Sequence, residues 1–134
     1  MRVVLDTNVI VSAVMFGGLP EKLLVKILSG DHVIVISPYI IEETNRILRT
    51  KFSSKPDSLK LLNDLLKEAD IQYFVPFIHV LSDEPDNRIL ETAVVGKAEI
   101  IVTGDKLLLD QKKYKDVLIV KPALLMEALK LTLQ

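Results

Sequence analysis

VVLDTNVIVSA, residues 3–13, reads as a β-branched strand that stops at a carboxylate and restarts as a helix. Three other runs share the buried-strand character, HVIVI at 32–36, EIIV at 99–102 and VLIV at 117–120, with IQYFV at 71–75 as a weaker fifth. Helical patterns fall between them. PEKLLVKIL at 20–28 opens on Pro20 and stops at Gly30, and SPYIIEETNRILRTKF at 37–52 has a Ser-Pro start. SSKPDSLKLLNDLLKEA follows at 53–69, DNRILETAVVG at 86–96 ends on glycine, and PALLMEALKLTL at 122–133 closes the chain. This alternation predicts an α/β domain over 1–134: a three-layer α/β/α sandwich with a central, mostly parallel sheet of four to five strands, joined by right-handed crossovers.

The chain has 134 residues, enough to bury about two-thirds of its unfolded surface in one core. With 49% apolar and 26% charged residues it has the balance of a compact domain, and with no cysteine it has neither disulfides nor thiolate metal sites. Its two histidines, His32 and His79, are distant from each other and read as structural, so a metal here must be oxygen-bound. Met1 and Arg2 run straight into strand-like residues and no apolar run reaches the roughly 18 residues of a membrane span, so a cytoplasmic protein without a membrane partner is expected. A net charge of −1 carries no nucleic-acid signature. If the substrate is nucleic acid, local basic clusters or bound cations must attract it. Arg46, Arg49 and Lys51 in RILRTK could form such a track, but a solvated helix face explains them as well.

In parallel α/β folds the site lies outside the carboxyl ends of the strands. Asp6 directly follows the first strand, and Asp105 follows EIIV through Thr103 and Gly104. Helix phase sorts the other acids. Ile40, Ile41, Thr44, Ile47 and Leu48 mark the buried stripe of their helix; Glu42 falls roughly 160° from its centre, where it is expected to pair with Arg46, and Glu43 roughly 100° away, on the border of the core. Asp86 is in phase with Ile89, Leu90 and Ala93, whereas Asp83 suits the role of an outward helix-dipole acid. Glu91 and Glu99 read as solvent charges.

Asp6, Glu43, Asp86 and Asp105 therefore form the candidate cluster. Crowded carboxylates raise one another's pKa unless a cation neutralises them, and an all-oxygen set suits Mg²⁺ or Mn²⁺. A carboxylate-held divalent ion with open positions acts on phosphates, so phosphodiester hydrolysis is the natural chemistry. Asn8 is expected to hydrogen-bond the Asp6 loop and Thr103 to hold a carboxylate or water; either could equally be a turn residue.

At these residues the chain resembles the PIN-domain ribonucleases, nearest to the VapC-like toxins of toxin-antitoxin pairs. VVLDTNVIVSA is similar to the family's opening strand, SPYIIEETNRIL to its helix with the catalytic Glu, DEPDNRILETAV to its third acidic motif and IIVTGDKLLL to its fourth. The resemblance places the metal-binding and catalytic acids on Asp6, Glu43, Asp86 and Asp105. It implies a single-stranded RNA substrate, Mg²⁺ or Mn²⁺ as cofactor, an antitoxin partner and a homodimer. Two departures are Thr44, where the family commonly has Leu, and DEPDN, which brings both Asp83 and Asp86 within reach of the third motif; helix phase favours Asp86.

Other readings stay open: an RNA-processing nuclease, a non-catalytic RNA-binding module of the same fold, or a phosphatase-like or receiver-like domain with its acid after the first strand. The phosphatase expects a second Asp where this chain has Asn8. VIVSAVMF at 9–16 is apolar almost all round, and Leu59, Leu61, Leu62, Leu65 and Leu66 make a wide stripe. Both predict a homodimer face, with burial inside one subunit as the alternative.

Overall fold

The strand Arg2–Leu5 (β1) buries Val3, Val4 and Leu5 alike, and because successive side chains point to opposite faces, the sheet is covered on both. The computed structural model describes residues 1–51 and 56–132. After β1 come α1 (Thr7–Met15), α2 (Gly18–Ser29), β2 (Val33–Ile36), α3 (Pro38–Lys51), α4 (Pro56–Glu68) and β3 (Asp70–Ile71). The second half holds α5 (Glu84–Val95), β4 (Ile100–Val102), α6 (Lys106–Gln111), β5 (Lys113–Tyr114), β6 (Val117–Val120) and α7 (Pro122–Thr132).

Among the described residues the strands form one six-stranded sheet in the order β3-β2-β1-β4-β6-β5, parallel except for β5 against β6. The four β-branched runs are its four central strands, flanked by helices as the alternation predicts. The fifth predicted strand, 71–75, shrinks to Asp70–Ile71, and the reason lies in its neighbour. Gln72 N–H still donates to Ile36 O at 2.8 Å, but β2 ends there and Pro38 opens α3, so the chain beyond has no ladder to join. At the other edge, β5 and β6 form a short hairpin that sequence reading did not anticipate. The expected helix residues Phe52–Lys55 and Leu133 lie outside the described residues.

α5 lies against β1, β2 and β4, while α1 packs on α2, α3 and α4. That second contact corrects the argument for a dimer face: Val9, Ile10, Val11, Ala13 and Val14 are buried inside the chain, as are Leu62 and Leu65 of α4. An all-round apolar α1 is what a helix enclosed by three others requires. Among the described residues no single helix is long and apolar enough to cross a membrane.

β1 and β4 are adjacent, with Leu5 paired to Val102, and the chain leaves them in opposite directions, β1 towards β2 and β4 towards β6. Their carboxyl ends therefore diverge, opening the crevice where α/β folds place their ligands. Asp6 N–H still donates to Val102 O (2.9 Å), and Thr103 N–H to Val120 O (3.0 Å), so both strand ends are fixed at the rim of that crevice.

Candidate metal centre

Asp6 is the residue between β1 and α1. It has extended backbone (φ −61°, ψ 149°). Its side chain is buried, and Oδ2 accepts a 2.7 Å hydrogen bond from the Thr103 hydroxyl. Thr103 is fully buried and in turn accepts the Asp105 N–H at 3.0 Å. One hydroxyl thus ties the end of β1 to the loop after β4. Burial pushes Asp6 above the usual carboxylate range; the Thr103 hydroxyl and the N–H groups of Thr7 and Asn8 oppose this, and Asp105 adds to it. Thr103 therefore holds a carboxylate as expected, whereas Asn8 acts through its backbone while its side chain is exposed.

α5 opens with Asp83 at its N-cap and Pro85 in its first turn, and its phase turns Asp86 inward, where it is 6% exposed. Asp83 stays exposed at the rim. Burial first, then the adjoining carboxylate of Asp105, and to a lesser degree the charges of Asp83 and Asp6 push Asp86 up to about 8. Like charges in a poorly hydrated place repel, and the cheapest relief without a cation is to keep a proton. The Oδ2 atoms of both Asp86 and Asp105 are buried without a hydrogen-bond partner.

Asp6, Asp86 and Asp105 line one cavity of about 230 Å³, with Asn8, Glu43 and Asp83 at its wall. All four acids of the sequence cluster thus border the same space. Glu43 differs from the other three. Its carboxylate is turned to Arg46, which donates from Nη2 at 2.6 Å and from Nε at 3.1 Å, and this guanidinium holds Glu43 below the usual carboxylate range. The expected Glu42–Arg46 pair is therefore not formed: Arg46 chooses the border acid at i−3, and Glu42 is left exposed.

Glu91 corrects a second expectation. It is fully buried, accepts the N–H groups of Phe77 and Ile78 (the latter at 2.7 Å) and pairs with Arg88. Asn87, also fully buried, bonds the Leu81 N–H and C=O at 2.9 Å each. Together they pin the irregular segment 72–83 to α5 and fix the approach to Asp83 and Asp86. Helix phase misplaces Glu91 because it assigns residues to solvent without knowing that a loop covers that side of the helix. Glu99 is exposed, as expected. His32 sits against the N-terminal amine (3.2 Å) and exposed His79 lies 3.7 Å from Glu84; neither lines the acid cavity.

The donor set is all carboxylate oxygen, and two of its buried oxygens lack partners, which fits a hard divalent cation. Among the described residues no three potential ligands are gathered tightly enough to hold an ion as they stand, consistent with Glu43 being engaged by Arg46.

No curated relative matches the chain. Among solved structures, a chain of VapBC2 from Rickettsia felis, determined bound to a DNA fragment from its promoter, superposes with a TM-score of 0.60 over 89% of this chain and 97% of that one, at 18% identity. At that identity the likeness is one of fold. The PIN domain family model matches residues 2–107, a span that runs from β1 through Asp6, Glu43 and Asp86 to just beyond Asp105, and the chain belongs to the PIN domain family.

Proposed function

We propose that this protein is an endoribonuclease that hydrolyses phosphodiester bonds of single-stranded RNA with Mg²⁺ or Mn²⁺, as the toxin of a toxin-antitoxin pair. The observation that carries the reading is the mutually repelling set of buried Asp6 and Asp86 with half-buried Asp105, two of whose buried oxygens lack partners, at the divergence of β1 and β4. A fold gains no stability from such a set, and sites that cost stability are where function is expected.

Asp6, Asp86 and Asp105 would hold the cation, with Glu43 as the fourth acid. When bound, the ion would polarise phosphoryl oxygens and acidify water for in-line attack. The protein's own part is positional. Thr103 fixes the rotamer of Asp6 and the turn that carries Asp105, the Asn87 and Glu91 bonds set the entry to α5, and Arg46 restrains Glu43 at the rim. Asp86 would give up its proton on loading.

The antitoxin partner and the toxin role draw support from the PIN family and from the fold shared with a VapBC2 chain. A homodimer rests on the family resemblance, since the faces that first pointed to it are mostly buried within the chain. A monomeric mass by light scattering would remove it. The test of the activity is incubation of the protein with single-stranded RNA and Mg²⁺ or Mn²⁺, with and without EDTA. Cleavage that EDTA abolishes is expected, and undiminished cleavage by metal-free protein would overturn the reading. For the toxin role, expression should arrest growth and Asp86→Asn should not; arrest by both would refute it.

A further inference from the structure

A second cavity, of about 390 Å³, opens beside the acid cavity and shares Thr7, Glu43, Pro85 and Ile89 with it. Its volume falls in the range of small-molecule sites, and its make-up is that of such a site: mostly apolar walls with a few polar groups. Ile40, Ile89 and Pro85 supply apolar wall, and Tyr39 supplies an aromatic one. Tyr39 is held in place: Phe74 stacks at 5.3 Å between ring centroids, the Arg88 guanidinium sits 5.9 Å from its ring, and its hydroxyl donates to Phe74 O at 3.4 Å. The aromatic wall is thus held in one orientation.

The polar groups lining this cavity are unequal. Glu43 is bonded to Arg46, and Glu84 is engaged by Arg88 (3.4 Å) and the Asn87 amide (3.3 Å). Arg88 is neutralised by buried Glu91. Glu42 alone of the three lining carboxylates has no partner among the described residues. A free carboxylate has only acceptors and asks for donors. Among the four RNA bases, guanine presents two adjacent N–H donors, N1–H and the N2 amino group, on its Watson–Crick edge, matching both oxygens of one carboxylate. Adenine and cytosine present one amino group there. Uracil presents a single N–H between two carbonyls that would repel the carboxylate.

We infer that this cavity seats one unpaired guanine of the RNA, with Glu42 reading its Watson–Crick edge, so that cleavage falls at the phosphate beside a guanine. The inference rests on the nuclease reading and adds a base preference to it. The shared wall brings a base in the larger cavity next to the acid cavity, and Arg46 lines the base's side of it.

The test uses metal-free protein in EDTA and the dinucleosides GpU, ApU, CpU and UpU joined through an uncharged methylphosphonate, so that nothing is cleaved and no anion meets the unneutralised acids. Binding is read from the methyl NMR shifts of Ile40 and Ile89. GpU should bind about tenfold more tightly than UpU, the scale of one good bidentate base contact, with ApU and CpU between them. In Glu42→Gln, whose exposed site leaves the fold intact by the same spectra, GpU and UpU should bind alike. Equal affinities in the wild type, shifts away from Ile40 and Ile89, or a guanine preference that survives Glu42→Gln would overturn the inference. Mapping of cleavage sites with Mg²⁺ separates the two claims. Cleavage indifferent to guanine sinks the guanine site and leaves the nuclease. Selective GpU binding with no cleavage of any RNA sinks the nuclease and leaves a guanine site.

Discussion

Thr103→Val removes one hydroxyl and almost no volume, yet that hydroxyl serves two partners. It donates to Asp6 Oδ2 at 2.7 Å and accepts the Asp105 N–H at 3.0 Å, in a fully buried position. A hydrogen bond to a charged group contributes about 1.5–3 kcal/mol, and a buried backbone N–H left unpaired costs about 1–3 kcal/mol. The sum is capped, because Asp6 can take up a proton instead of staying charged without its donor. We expect a loss of about 2–3 kcal/mol at pH 8, and at roughly 3–5 °C per kcal/mol for a domain of this size the Tm should fall by about 6–15 °C. The sign of the pH effect follows from Asp6. Burial already raises its pKa and Thr103 opposes the rise, so the variant's Asp6 is raised further. A raised acid contributes stability that is fully present below its unfolded pKa and is lost as pH climbs through the folded value. The cost of the substitution should therefore be smaller at pH 4.5 than at pH 8, while the part due to the unpaired Asp105 N–H persists at both. Urea denaturation at the two pH values, in EDTA, measures it. Thr103→Ser, which keeps the hydroxyl and loses a methyl, should cost about 1 kcal/mol at both. A Val penalty that does not change with pH, or one no larger than the Ser penalty, would refute the assigned role of Thr103.

Asp86, pushed up to about 8, should make the metal-free protein lose stability as pH rises from the usual carboxylate range to about 8. Asp86→Asn should remove that slope and leave the variant more stable than wild type at pH 8.5 by urea denaturation; a wild-type penalty equal at pH 4.5 and 8.5 would contradict the assignment. Glu91→Ala should cost about 3–5 kcal/mol, because it leaves Arg88 only its longer pair with exposed Glu84 and leaves two backbone N–H groups unpaired, and a loss under 1 kcal/mol would show that the clamp on 72–83 contributes little. Arg46→Ala should barely move the Tm, since its pair with Glu43 is exposed, but should tighten Mn²⁺ binding by releasing Glu43; weaker Mn²⁺ binding would mean that Arg46 positions Glu43 for the ion rather than competing for it.

The legibility of this chain follows its physics. β1, β2 and β4 were readable because they are covered on both faces and so are written as unbroken β-branched runs, and β6 is written the same way although it exposes Leu118; β3 was read only as part of the weaker run 71–75 and β5 not at all, because two-residue edge strands depend on a neighbour rather than on their own sequence. Asp6, Asp86 and Asp105 were legible from strand ends and helix phase, both of which are set locally. Glu91 was misread because its burial comes from segment 72–83, which carries no periodic signal, and Arg46 was given the wrong partner because i+3 and i+4 spacings compete on one helix face. Asn87, whose two hydrogen bonds fix Leu81, gave no warning beyond being a polar residue one place after Asp86.

The central claim is that the acid cavity takes a divalent cation through its own carboxylates. Isothermal titration of Mn²⁺ into wild type, Asp105→Asn and the exposed α7 control Glu127→Gln, at pH 7 in buffers of different ionisation enthalpy, tests it directly. Wild type and Glu127→Gln should bind saturably and release protons, because Asp86 must ionise to become a ligand. Asp105→Asn should bind more than about tenfold more weakly. Equal affinity in wild type and Asp105→Asn, or binding with no proton release, would contradict the account.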